Sequence, residues 1–272
     1  MEQIVQQLAQ QAQQRYYGKY RGFVTDNRDP EKRGRMKLRV PTVLADQVTG
    51  WALPCLPFGG LANQGLFMIP EVDSQVWVEF EEGNLDHPIW VGVFWQQSSD
   101  TPEEAALEEP TTRILRTPSG HVLQFDDLSG EEQFRLAHPA GTEMTIDPQG
   151  TVELEDASGA KLTMDAEANE IVLQDSNGNI VTMNSSGTVV EDSNGNKIEM
   201  AASGITVKAT QIEIKGEQVH VGGKGGEPLI KGQTFMAMYN SHTHLCTAPG
   251  SPSAPPLPPL TPAAMTIKSK AQ

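Results

Sequence analysis

From residue 113 onward, apolar side chains recur in short alternating runs, each following a glycine-centred turn. The unit is a glycine, two further residues, then apolar–polar–apolar: Gly120 with Leu123 and Phe125, Gly141 with Met144 and Ile146, Gly159 with Leu162 and Met164. Gly178 with Val181 and Met183, and Gly195 with Ile198 and Met200, continue it, the glycines lying 21, 18, 19 and 17 residues apart. Second runs of the same kind fall between them, at Phe134/Leu136, Val152/Leu154, Ile171/Leu173 and Ile205/Val207, and the alternation persists at Ile212/Ile214 and Val219/Val221. A period of two puts alternate side chains on opposite faces of a strand, and recurrence every 17–21 residues marks a structural repeat. Each such strand offers only two or three inward residues, so one ribbon cannot bury its apolar edge alone. A single-chain parallel β-helix with coils of about 20 residues would cover it. So would three chains winding about a common axis, each forming one face of a triangular prism. The repeat leaves both open; medium-sized inward side chains that three copies could bring together near an axis favour the intertwined trimer.

Residues 18–95 alternate differently, in short runs such as Lys37–Val40, Gln75–Phe80 and Ile89–Trp95, separated by turn clusters such as Asp26-Asn27-Arg28-Asp29-Pro30 and Glu82-Gly83-Asn84. In Gln75–Phe80, Val76, Val78 and Phe80 face one way and Trp77 and Glu79 the other. About five short strands in so small a span predict a closed barrel of the OB type. Residues 1–17 are Gln-rich, with Ile4, Val5, Leu8 and Ala12 near helical spacing; they read as a short docking helix or as a frayed terminal segment. Residues 96–112 are polar, acidic and Pro-containing, the signature of a linker between domains. The β-helical repeat is assigned to 113–245, ending in an apolar stretch, TFMAMYNSHTHL. The Pro-rich segment 246–272 is expected to be extended. The fold class expected is all-β: a short N-terminal helix, an OB-fold barrel, then a trimeric intertwined β-helix spike.

Composition narrows the function. Hydrophobic residues make up 38% and aromatics 6%, with 25 Gly and 19 Pro, a thin supply for a compact α/β enzyme but adequate for an elongated β protein completed by other chains. A formal charge of −15 argues against nucleic acid and anionic lipid as partners. Cys55 and Cys246 fall in different predicted domains and form no CxxC site or disulfide framework. The N-terminal run lacks a basic start and an apolar core, and no stretch is long enough to span a membrane, so synthesis in the cytoplasm without a signal peptide is expected.

Candidate chemistry is sparse. His242 and His244 form an H-x-H; on a strand both imidazoles would share one face. Three copies around an axis would then offer six nitrogens to one octahedral first-row ion such as iron. The same histidines could instead pack near the axis or face solvent. Cys246, two residues on, is a further ligand or a small buried residue. No Gly-x-Ser-x-Gly elbow, HExxH or P-loop occurs, and Gly222-Gly223-Lys224-Gly225-Gly226 lacks the strand–loop–helix setting of a phosphate loop. The pairs Asp126/Asp127 and Glu131/Glu132 read as solvated turns, not a glycosidase dyad. Asp156, Asp175 and Asp192 read as turn residues, since their spacing is not that of a nine-residue calcium roll.

The segment 20–95 resembles the baseplate assembly protein V family, the OB domain of contractile phage tails and injection systems. The matching residues are Tyr20-Arg21-Gly22-Phe23-Val24, Asp26-Asn27 with Asp29-Pro30, Gly34-Arg35-Met36-Lys37-Leu38-Arg39-Val40-Pro41 and Trp51-Ala52-Leu53-Pro54. They continue through Ile69-Pro70-Glu71-Val72, Gln75 to Glu81, and Pro88-Ile89-Trp90-Val91-Gly92. The resemblance implies a homotrimeric spike on the tail axis, below the tube and sheath. Its OB collar would meet a trimeric hub, and its β-helix would point at the target envelope, meeting that membrane only in transit as the sheath contracts. It also implies assembly into a virion or injection particle, a possible PAAR-type conical tip protein at the far end, and iron at H-x-H motifs near the tip. Some members carry a lysozyme domain between barrel and helix, and others a terminal effector. The 17-residue linker 96–112 and the Pro-rich ending leave no room for either, so a non-enzymatic spike is expected. The alternative is a β-helical adhesin or tail-fibre module binding cell-surface glycan.

Overall fold

The computed structural model describes residues 15–105, 108–217, 230–244 and 259–261. The chain divides at residue 209 into two units. The first unit contains two sheets. Five strands, β1 (Tyr20–Asp26), β2 (Lys37–Arg39), β3 (Leu53–Pro54), β4 (Gln75–Phe80) and β5 (Pro88–Val93), order as β2-β1-β4-β5-β3, with a one-turn helix α1 (Pro41–Leu44) between β2 and β3. The alternation in β4 sorts its side chains as expected: Val76, Val78 and Phe80 are buried, while Trp77 and Glu79 lie on the outer face. They join Val24, Met36, Leu38, Val40, Ala52 and Trp90 in one core, and the Trp90 indole N–H donates to the Gly34 carbonyl at 3.1 Å. That bond satisfies the only polar atom of a side chain otherwise enclosed by apolar neighbours. A register shift in β1 between Val24 and Asp26 curls the sheet, as a β-bulge does.

Most of the N-terminal helix expected over 1–17 lies outside the described residues; its last three, Arg15 to Tyr17, are not helical. Tyr16 instead donates its backbone N–H to the Gly83 carbonyl at 2.9 Å and sets its ring edge-on to Tyr20 and Phe80, extending the barrel core. The linker has local structure too. Two short 3₁₀ turns, Ser98–Asp100 and Glu103–Ala105, interrupt it, and Glu104 pairs with Arg116.

The second sheet has eleven strands: β6 (Thr112–Arg116), β7 (Val122–Asp126), β8 (Gln133–Ala137), β9 (Glu143–Ile146), β10 (Val152–Glu155), β11 (Lys161–Asp165), β12 (Glu170–Gln174), β13 (Ile180–Asn184), β14 (Gly187–Glu191), β15 (Lys197–Ala201) and β16 (Gly204–Lys208). Every strand pairs antiparallel with its neighbours in sequence, in the order β16 to β6. A single-chain parallel β-helix, the open alternative above, needs parallel pairs between successive coils and is therefore excluded for this segment. The register aligns the apolar positions into two rows across the sheet. Leu154 faces Leu162, which faces Leu173, then Val181, Val190 and Ile198; beside them Val152 faces Met164, Ile171 and Met183. Two strands of this ladder, β6 and β14, are absent from the runs read in the sequence. Gly187 opens β14, and a Cβ there would sit 1.9 Å from the Met200 carbonyl oxygen.

Two expectations about the end of the repeat need correction. Among the described residues strand structure stops at Lys208: Ile212 and Ile214 lie in no strand, and Val219 and Val221 fall outside the described residues. The apolar stretch that ends the assigned repeat, whose H-x-H was expected on a strand, is mostly a helix, α2 (Gly232–Ser241), with His242 at its C-cap. Phe235, Met238 and Tyr239 stand at i, i+3 and i+4, a helical spacing that overrides the alternation of His-Thr-His just beyond.

Candidate functional site

The eleven-stranded sheet has no buried core of its own. No residue from 127 to 208 is buried, and along its apolar rows Leu136, Leu154, Leu173 and Met183 keep 40–52% of their surface exposed. The opposite face is mostly Glu, Lys, Thr and Asn, with Val172, Ile180 and Val189 among them and ion pairs Arg135–Glu143 and Lys197–Glu199 between or along strands. A sheet mostly polar on one face and apolar on the other is half of a two-layer structure.

The loops along one edge of this sheet share one geometry. In the loop after β12, the Asp175 carboxylate accepts from the backbone N–H of Asn177 and Asn179, each at 2.9 Å, and from the Asn179 amide at 2.6 Å. Gly178, at φ +89°, donates back to the Asp175 carbonyl. Asp156 and Asp192 repeat the pattern, while Thr117 and His138 hold the corresponding place in earlier loops through Oγ1 and Nδ1. The bond from the Asn179 side chain holds the Asp175 carboxyl at about 2, and Asn196 likewise keeps Asp192 low. For Asp156 the bond from Ser158 leads. These carboxylates close their own turns. As expected, they are turn residues.

His242 and His244 lie at and beyond the end of α2, not on a strand. Their rings still meet, with centroids 5.2 Å apart at 81°. The His242 Nδ1–H donates to the Tyr239 carbonyl at 2.6 Å, which leaves the lone pair on Nε2, the arrangement that orients an imidazole toward a metal. Two neighbouring imidazoles suit a first-row ion, but one copy does not complete a shell. Among the described residues no group of three or more His, Cys, Asp or Glu converges on one point. Cys246 and the glycines at 222–226 lie outside the described residues.

In the barrel, the conspicuous polar pair is Asp29 with Arg35. The guanidinium meets the carboxylate at 2.6 Å, and the backbone N–H groups of Glu31, Arg33 and Arg35 converge on the same carboxylate. Arg35 thereby holds the Asp29 carboxyl well below the usual range. The pair ties the β1–β2 loop together and is structural. The outer face of the sheet was not foreseen as a site. Across it, antiparallel register brings Arg21 beside Trp77 and Phe23 beside Arg39. The Arg21 guanidinium lies over both Trp77 and Phe94, at 5.9 and 5.5 Å; Arg39 lies over Phe23 at 4.8 Å and the Lys37 ammonium over Trp51 at 4.9 Å. Among the described residues no helix is long and apolar enough to cross a membrane.

Comparison with known proteins follows the barrel. Residues 20–95 match the family model for the type VI secretion system/phage-baseplate injector OB domain. The pre-baseplate central spike protein Gp5 of Enterobacteria phage T4 is 33% identical over 73 residues, covering 27% of this chain and 13% of that protein. The actin cross-linking toxin VgrG1 of Vibrio cholerae serotype O1 is 29% identical over 115 residues, covering 39% of this chain and 10% of that protein. The matches thus span only about an eighth or less of those relatives. A solved complex of the SAS-4 TCP domain of Drosophila melanogaster with a proline-rich motif shows 15% identity and a TM-score of 0.25. It covers 37% of this chain and 73% of that one, a likeness too weak to bear on the fold. Through residues 20–95, the chain is similar to the injector OB-domain family of phage baseplates and type VI secretion systems.

Proposed function

We propose that this chain is the central spike of a contractile baseplate, a homotrimer that attaches to the hub through its barrel and is driven into the target envelope. The observation that carries this is the uncovered apolar face of the eleven-stranded sheet in a chain whose barrel is similar to the injector family. Three such faces turned toward a common axis form a triangular prism whose core no single copy supplies. The outer faces, rich in Glu, Lys and Thr, then meet water. Strand ladders running uninterrupted from β6 to β16 make a stiff rod suited to transmitting force, and the role is mechanical, not catalytic.

His242 and His244 from three copies supply six nitrogens to one first-row ion, iron by resemblance, and a PAAR-type tip protein caps the C-terminal end. Native mass spectrometry of the purified full-length chain tests the reading. A species near three times 29.6 kDa that resists dilution is expected, with one added ion that His244→Ala removes. A stable monomer would sink the spike reading. Stoichiometric metal persisting in His244→Ala would remove the site and keep the spike.

A further inference from the structure

The barrel's outer face presents a stripe in which aromatic and cationic side chains alternate across strands. From β5 outward it runs Phe94, Trp77, Arg21, Phe23, Arg39 and Lys37, with Trp51 beneath Lys37 at the far side. It lies opposite the core, because Val24, Leu38, Val76 and Val78 on the same strands point inward. Three properties set it apart. The rings of Phe23, Trp77 and Phe94 are only half-buried, although nothing in the barrel core needs them there. Among the described residues Arg21, Lys37 and Arg39 form no ion pair, in a chain that carries 35 acidic residues against 20 basic ones. Of the carboxylates bordering the face, Glu79 is taken by Lys19 at 2.5 Å, and Asp26, the cross-strand partner of Lys37, accepts from the Arg28 backbone N–H at 2.9 Å.

A guanidinium held over an aromatic ring, without a carboxylate of its own, keeps N–H donors available to meet carboxylates. The stripe is therefore poised for a partner that offers carboxylates beside apolar side chains. Charge along the chain sharpens the choice. Residues 15–95 hold ten acidic and nine basic residues, whereas residues 96–209 hold 21 acidic and six basic ones. Three cations attached to so acidic a body make a poor seat for a long polyanion, whose binding rests on neutralising many phosphates. They suit the local carboxylates of a protein surface.

We infer that the stripe of Arg21, Phe23, Lys37, Arg39, Trp77 and Phe94 is the face by which the barrel docks on an acidic, partly apolar surface of the baseplate hub. The inference rests on the spike reading above and adds the side of the barrel and the chemistry of the partner.

The test uses the full-length chain in its producing strain, with the resident copy deleted. A photoreactive benzoylphenylalanine at Thr25, exposed on the same face, is activated in purified particles and the cross-linked peptide is sequenced. The expected product is a hub peptide rich in Asp and Glu. The Arg21→Glu/Arg39→Glu variant is expected to keep its trimer in native mass spectrometry yet fall at least tenfold in copies per particle, with Arg21→Lys/Arg39→Lys in between. Wild-type incorporation of the double Glu variant, or a cross-link to nucleic acid, to another copy of this chain or to a basic peptide, overturns the docking face and leaves the spike intact. A wild-type chain that never enters a particle overturns the spike reading and the docking face together.

Discussion

The barrel and the long sheet solve the problem of burial in opposite ways. The barrel encloses Val24, Met36, Leu38, Val40, Val76 and Val78 completely, so its stability is internal to one chain. The sheet aligns about twenty apolar positions in two rows and buries none of them between residues 127 and 208. Its strands are hydrogen-bonded as well as the barrel's, so what it lacks is a second layer, not secondary structure. Backbone pairing and core formation are thus separable here. The barrel completes both alone, and the sheet completes only the first within one chain.

The largest expected effect comes from placing a charge on an apolar row of the sheet. Leu173→Glu would set three carboxylates facing the proposed axis, and native mass spectrometry should show loss of the trimer. All four tryptophans, Trp51, Trp77, Trp90 and Trp95, lie in the barrel, so its fluorescence should remain native. A barrel that unfolded with the sheet would break the comparison. Gly187→Ala comes next. Its Cβ would collide with the Met200 carbonyl, opening β14 from β15, and amide exchange should accelerate from 187 to 201 while the barrel's rates hold. Within the barrel, Leu38→Ala should cost about 2–5 kcal/mol, read by tryptophan fluorescence, with a midpoint independent of concentration. The midpoint of the sheet, followed by far-ultraviolet circular dichroism, should rise with concentration.

Acid should touch both regions for different local reasons. Asp29, held low by Arg35, and Asp175, held at about 2 by Asn179, are charged more readily in the folded chain than in the unfolded one. Their contribution is complete above the unfolded carboxylate pKa of about 4 and is lost as the pH falls from there through the native values. Thermal midpoints should therefore be flat above that point and decline below it. The smallest effect is expected of Asp175→Asn, which keeps the acceptor oxygen that closes its loop. The sheet's acid limb should flatten slightly, and the barrel's should not change.

Much of this was legible in the sequence wherever one residue of separation decides the matter. The alternation in Gln75–Phe80 sorted the barrel strand correctly, and Gly-centred turns with Leu162/Met164 or Val181/Met183 marked the repeat and its inward rows. Legibility failed where a polar residue broke the alternation or where a longer period competed. Thr188 occupies an inward position opposite Met183 and so concealed β14, and the His-Thr-His alternation masked the helical spacing of Phe235, Met238 and Tyr239. The cation–aromatic stripe could not be seen at all. Its members are scattered from Arg21 to Phe94, and only antiparallel register gathers them, while a net charge of −15 hides a face of the opposite sign.

Because each strand of the long sheet pairs only with its neighbours in sequence, the length of this segment is set by a count. Strands stack about 4.8 Å apart, so removing any adjacent pair shortens the array by about 10 Å without disturbing what lies on either side. The turns at Asp175 and Asp192 are interchangeable in this sense: Val181 and Ile198 stand six residues after each, on the same row. Excising residues 175–191 would join Gln174 to Asp192 with direction, face and register preserved. Reach can thus evolve by duplication or loss of hairpins of about this size, at a constant cross-section and with no redesign of either end.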